Sequence, residues 1–179
     1  MREGVAGYEL KGDDRETWRA RRVILATGPW PLPALPEPVP TRIKRVAALK
    51  AELPVRPGDP IVFFPEDDLF FLPGTDGTAM ISFDRGCWDQ DPADVDGSLD
   101  DGDLRIGLAA VRARSTAAAS AVIGGQAFCD RYTGDRLPYV WNSAGSPGLA
   151  AIMAGSGSGI RLAPGLAARA VSAVEGKRR

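Results

Sequence analysis

The 179-residue chain contains no histidine. That absence removes the commonest general base and the commonest metal ligand at once. Serine–histidine and cysteine–histidine catalysis are excluded, as are the usual zinc hydrolase sites. Cysteine is nearly as scarce: Cys87 and Cys129 are the only two, too few for a disulfide framework and suited to a reducing cytoplasm. Neither sign of charge dominates, with 22 basic and 23 acidic residues and a formal net charge of −1. No global field therefore points to nucleic acid or to a membrane surface. No apolar run reaches transmembrane length, the start lacks a signal-peptide pattern, and the closing "GKRR" reads as a solvated tail. Chemistry here must come from carboxylates, arginine, tyrosine, backbone groups or a cofactor.

What the chain does have is strand and turn signal. "VAGYEL" and "ETWRARRVILATG", separated by the polar "KGDDR", predict a hairpin whose second arm runs into a buried strand, Val23 to Ala26, ending at Gly28. Six prolines between Pro29 and Pro40 predict an extended crossing segment, because proline removes ladder donors and fixes φ. "RIKRVAALKAEL" fits a helix or a strand and is read as a strand, since "DPIVFFP", "DLFFLP" and "TAMISF" follow as short apolar runs broken by turn residues, an antiparallel meander.

The aspartate-rich stretch after Phe83 lacks the D-x-D-x-D-G spacing and terminal glutamate of a calcium loop, so no metal is expected there. "DGDLRIGLAAVRARSTAAA" predicts an amphipathic helix with Asp101 or Asp103 as its cap. Strands follow near "SAVIGGQAFCD", "LPYVW" and "GLAAIMA", and a final helix runs from about Ile160 to Val174.

Between that last strand and helix lies "AGSGSGI", Ala154 to Ile160. Gly155 and Gly157 occupy the first two places of G-x-G-x-x-G, but the third falls on Ile160 and no second strand follows. A dinucleotide cannot be held here by the standard route. No lysine with serine or threonine closes a Walker loop either. The physics of the turn remains: glycines let a flat or anionic ligand approach the backbone, and a helix N-terminus offers unpaired amides. A plain strand-to-helix turn is the alternative.

Four stretches, in order, resemble the C-terminal half of the flavin-dependent amine and amino-acid oxidases, the group of D-amino-acid oxidase, glycine oxidase and sarcosine oxidase. They are "RRVILATGPWP" (Arg21 to Pro31), "DLFFLPGTDGTAMISF" (Asp68 to Phe83), "TGDRLPYV" (Thr133 to Val140) and "GLAAIMAGSGSGIRLAPGLAARAV" (Gly148 to Val171). The resemblance implies a mixed α+β and α/β architecture. An antiparallel-sheet substrate domain would join the C-terminal part of a Rossmann-like FAD-binding domain that lacks its N-terminal βαβ unit. Residues 1–30 would be the first part of the FAD-binding domain, 31–141 the substrate domain, and 142–179 the closing strand, glycine loop and helix.

The same resemblance implies FAD at Thr27, Gly28, Gly155, Ser156, Gly157, Ser158, Gly159, Ile160 and Arg161. It implies a substrate site whose candidates are Arg131, Tyr132 and Tyr139, with no catalytic residue assigned. Arg131 can clamp a carboxylate or pair with Asp130 or Asp135; the tyrosines can line a pocket or simply pack. Two positions depart from the family's pattern. The place of the carboxylate-binding arginine falls on Asp130, one step before Arg131, and the glycine expected after "LPYV" is Trp141. Cys129 lies one residue out of register with the cysteine that some members bond to flavin. The expectation is an oxidoreductase subunit acting on a small amine or amino acid. It would share FAD with a second polypeptide that supplies the G-x-G-x-x-G half, with no nucleic-acid or membrane partner. A non-catalytic binding or scaffold subunit that keeps the fold without flavin is the alternative.

Overall fold

The computed structural model describes residues 2–4, 7–31, 40–142 and 145–176, the first three through their backbone alone. Within these, β1 (Arg2–Gly4), β2 (Gly7–Lys11) and β3 (Thr17–Ala20) form an antiparallel sheet, and the β2–β3 hairpin is the one the sequence predicts. Most of the proline segment, residues 32–39, lies outside the described residues.

The chain divides into two compact units: Met1–Arg42 with Asp130–Arg179, and Ile43–Cys129. The changeovers fall inside two twelve-residue strands, β5 (Thr41–Glu52) and β9 (Val122–Thr133).

In the Ile43–Cys129 unit, β6 (Val62–Phe64), β7 (Leu69–Pro73) and β8 (Thr78–Phe83) make the expected meander, and the sheet order is β6-β7-β8-β5-β9. The β7–β8 turn is drawn tight by Asp76, whose carboxylate accepts from the Thr78 hydroxyl at 2.6 Å, while Gly77 takes φ +74°. Helix α1 (Asp101–Arg114) packs against this sheet, burying Val111 with Leu49, Leu69, Ile81 and Phe83.

Two expectations about α1 need correction. Its cap is Asp100, not Asp101 or Asp103: Asp100 accepts from the Asp103 amide at 2.7 Å and Asp103 answers to the Asp100 amide at 3.0 Å, a reciprocal capping box. Nor is the helix continuous to Ala119, because Ser115 leaves the helical conformation (φ −158°, ψ 111°) and caps a second short helix, α2 (Thr116–Ser120). Asp103 is wholly buried between two guanidiniums, with Arg45 Nη2 at 2.6 Å and Arg85 Nε at 2.9 Å. The most buried charge among the described residues is thus paired twice over, as burial requires.

In the other unit, β10 (Tyr139–Asn142), β11 (Leu149–Met153) and β4 (Val23–Leu25) form a sheet in that order. β10 runs antiparallel to β11, and β4 runs parallel to it with Leu25 opposite Ala151. Tyr8, Val23, Trp141, Leu149, Ala151 and Met153 fill its core. Trp141, which stands where the resemblance expects glycine, is a packing residue. Helix α3 (Gly159–Val174) follows β11 and buries Leu166, Ala170 and Val174, one face at helical spacing.

Candidate functional site

Because β4 and β11 are parallel and adjacent, their C-terminal ends open at the same edge of the sheet. β4 runs out through Ala26-Thr27-Gly28, and β11 runs out through Ala154 to Gly159. In open sheets of parallel strands, ligands bind outside the carboxyl ends. The two glycine turns that the sequence separates by more than a hundred residues therefore meet at one end of one sheet.

Gly28 takes φ +61°, and a Cβ placed there meets nothing within 4 Å. Thr27 closes the turn, accepting from the Trp30 amide at 3.3 Å. Across the sheet edge, the 154–159 loop takes an unusual path: Ala154, Ser156 and Gly157 all have positive φ, at 53°, 51° and 74°. For alanine and serine that conformation costs about 1–3 kcal/mol each, and such strain concentrates at ligand sites.

What holds the strain is β9. The Ser156 amide donates to the Arg131 carbonyl at 3.1 Å, the Thr133 amide donates to Ser156 Oγ at 3.3 Å, and the Gly157 amide donates to Asp130 Oδ2 at 2.7 Å. Three bonds zip the loop to the strand. A Cβ on Gly157 would lie 3.1 Å from the Tyr132 hydroxyl oxygen, so Tyr132 stands beside the loop, whereas a Cβ on Gly159 meets open space.

The helix that follows begins uncapped. No side chain bonds its first turn and no acidic residue lies there. Ser158, the residue placed to cap it, instead accepts from the Arg161 guanidinium at 2.6 Å. Pro164, inside α3, has no amide for the Ile160 carbonyl, and Ile160 is 94% exposed. Free amides at a helix start and a nearby guanidinium favour an electron-rich or anionic ligand face.

The candidates for substrate contact separate. Strand alternation puts Asp130 and Tyr132 on one face of β9 and Arg131 and Thr133 on the other. Arg131 is buried, and its guanidinium donates to the Pro29 carbonyl at 2.8 Å and to Thr41 Oγ1 at 3.2 Å. It is not brought together with Tyr132 at the loop. Tyr139 sits on β10 opposite Met153, partly exposed. Asp130, which the sequence reading passes over as a misplaced arginine position, is the residue that reaches the loop. Alternation from the buried Cys129 and Thr133 would have assigned its face. Cys129 is a free thiol in the other unit, and burial pushes its pKa up, which keeps it protonated and unreactive.

Gly28 and Gly159 thus offer open backbone, and the start of α3 offers free amides with the Arg161 guanidinium, a set that would fit the ring and edge atoms of a flavin. Among the described residues no cluster of three metal-binding side chains occurs, and no helix is long and apolar enough to cross a membrane. An apolar cleft of about 280 Å³, lined by Leu53, Val62, Phe64, Phe71 and Arg114 among others, lies wholly within the Ile43–Cys129 unit and includes none of these residues.

A family model described as FAD dependent oxidoreductase, DAO, matches residues 2–173. The chain belongs to this family. Solved structures of similar fold include glycine oxidase from Geobacillus kaustophilus, 19% identical, with a TM-score of 0.77 over 99% of this chain and 47% of that one. Amadoriase I from Aspergillus fumigatus, a fructosyl amine:oxygen oxidoreductase, is 15% identical with a TM-score of 0.75 over 94% of this chain and 43% of that one. Amadoriase II, a fructosamine oxidase of the same organism, is 17% identical with a TM-score of 0.74 over 94% and 45%. No curated protein matches significantly. The chain spans less than half the length of each of these solved relatives.

Proposed function

We propose that this chain contributes the closing part of a flavin site in an enzyme that oxidises the C–N bond of a small amine or amino acid. The observation that carries this reading is the parallel β4–β11 pair, which delivers the turn at Thr27–Gly28 and the strained 154–159 loop to one sheet edge. When bound there, FAD would accept a hydride from the carbon that bears nitrogen, so no histidine base is required. The chain's own residues orient and polarise: the backbone at Gly28 and Gly159 permits close approach, and the amides opening α3 with Arg161 favour negative charge at the ring edge. Tyr132 beside the loop, and Tyr139 on β10, are the residues proposed to line the substrate side. Arg131 is proposed as a brace for Pro29 and Thr41, not as a carboxylate clamp.

The 179 residues hold no G-x-G-x-x-G unit for the ADP part of FAD. We propose that a second polypeptide supplies it, making a split flavoenzyme. What supports this is uncovered surface: among the described residues β4 pairs on one edge only, and Trp18, Ile24, Ile160, Leu162 and Val171 are exposed. An unpaired parallel edge with apolar neighbours favours association. The two free thiols suit the cytoplasm.

Native mass spectrometry of the chain purified from its own cells tests both parts. A second polypeptide together with the mass of FAD, and bleaching of the flavin band by an amine, is the expected result. FAD bound to one longer polypeptide carrying both halves would overturn the split but keep the oxidoreductase. A folded chain that holds no flavin alone or in complex would leave the scaffold reading.

A further inference from the structure

We propose that Asp130 is the positioning residue of the glycine loop and lowers the reduction potential of the flavin held beside it; this rests on the flavin reading above. The carboxylate joins two main-chain amides, its neighbour's and one 27 residues from Asp130: Oδ2 accepts from Gly157 at 2.7 Å, and Oδ1 accepts from Arg131 at 2.8 Å. It is therefore fixed at both oxygens, and its reach across to the loop holds Gly157 in the left-handed conformation that turns the following amides toward the start of α3. Among the described residues no ammonium or guanidinium group pairs with it. The adjacent Arg131 is spent on Pro29 and Thr41, off the opposite face of β9. The nearest loop cation, Arg161, is bonded to Ser158 Oγ.

The loop is thus flanked by a fixed negative group on the β9 side and a fixed positive group on the α3 side. Reduction adds negative charge to flavin, so a nearby carboxylate disfavours the reduced form and a nearby guanidinium favours it. Asparagine in place of Asp130 has one acceptor oxygen, which can stay on the Gly157 amide and keep the loop anchored; it gives up the bond to the Arg131 amide and removes that bias. The two roles of Asp130, anchoring and charge, are separable by choice of substituent.

The test compares Asp130→Asn, Asp130→Ala and Arg161→Gln in the flavin-containing complex. Hydrogen-exchange mass spectrometry of the 154–160 segment reads the anchor. Slow exchange is expected in the unaltered protein and in Asp130→Asn, and exchange at least ten-fold faster in Asp130→Ala. Spectroelectrochemical titration reads the charge. Asp130→Asn is expected to favour reduced over oxidised flavin by on the order of ten-fold, about 30 mV upward for a two-electron couple, and Arg161→Gln is expected to move the potential down. A purely structural role would leave the Asp130→Asn potential unchanged or move both variants in one direction. Flavin bound at an unaltered potential in Asp130→Asn, or a loop that exchanges fast in the unaltered protein, overturns this proposal. A complex that holds no flavin overturns the functional reading instead, so the two failures are distinct.

Discussion

Arg131 on β9 donates from its guanidinium to the carbonyl oxygen of Pro29, 102 residues away in sequence, at 2.8 Å. The side chain is buried and also donates to Thr41 Oγ1. It ties the two ends of the proline segment to one strand. Arg131→Met is expected to cost about 2–4 kcal/mol, since charged hydrogen bonds are lost and a part-buried carbonyl is left without its donor. A urea denaturation midpoint checks this. A clamp for substrate carboxylate would instead raise KM for amino acids and leave the midpoint in place.

Asp103 predicts an acid limit to stability. Burial pushes its carboxyl pKa up, but the Arg45 guanidinium, the Asp100 amide and the Arg85 guanidinium outweigh burial and hold it below the ordinary aspartate value. The folded value lies under the unfolded one, so the stabilisation is present above about pH 4 and drains away as pH falls through the folded value. Asp103→Asn should lose about 3–5 kcal/mol near neutral pH, because two guanidiniums keep only the half-exposed Asp100 carboxylate as counter-charge. The loss should shrink in acid. Thermal unfolding across a pH series reads both effects.

Gly107 in α1 gives a prediction of sign. In an open helix, glycine to alanine gains about 1 kcal/mol. Here the added Cβ would lie 2.6 Å from Phe83 Cε1 and 3.0 Å from Leu49 Cδ1, two buried side chains of the sheet core. Overpacking of that kind costs about 1–3 kcal/mol, so Gly107→Ala is expected to lower Tm. An increase would mean that α1 shifts freely on the sheet.

Ser156 separates hydrogen bonding from backbone strain. Its hydroxyl accepts from the Thr133 amide at 3.3 Å and donates to the Ala154 carbonyl at 3.2 Å, while its own φ is 51°. Ser156→Ala loses the bonds and keeps the strain; Ser156→Gly loses the bonds but relieves the strain. Alanine should therefore destabilise by about 1–2 kcal/mol, and glycine by less. Equal losses would remove strain from the account of the loop.

The elements most legible in the sequence are those where local chemistry and fold agree. The meander of β6 to β8 announces itself by apolar runs cut by "EDD" and "GTDG", and the end of β11 by its glycines. The capping of α1 is less legible because Asp100, Asp101 and Asp103 are chemically equivalent in a row, and only the direction of chain entry selects Asp100. The break at Ser115 is hidden for a similar reason: a serine tolerated within a helix is equally able to start one. At the candidate site, the glycines of the loop are visible, but the reach of Asp130 and the turning away of Arg131 are not. Both depend on which face of β9 meets residues far away in sequence. The chemistry of a carboxylate clamp points to the guanidinium of Arg131, while the pleat assigns the loop to the carboxylate beside it.

The parallel pairing of β4 with β11 also bears on how the protein is made. A ribosome that has produced Val23–Leu25 must add well over a hundred residues before Leu149–Met153 emerges. At ordinary elongation rates that interval is on the order of ten seconds. The Ile43–Cys129 unit, drawn from one uninterrupted stretch, can fold during the wait. β4 cannot: until the last part of the chain appears, it is nascent, unpartnered and apolar, a natural client for a chaperone.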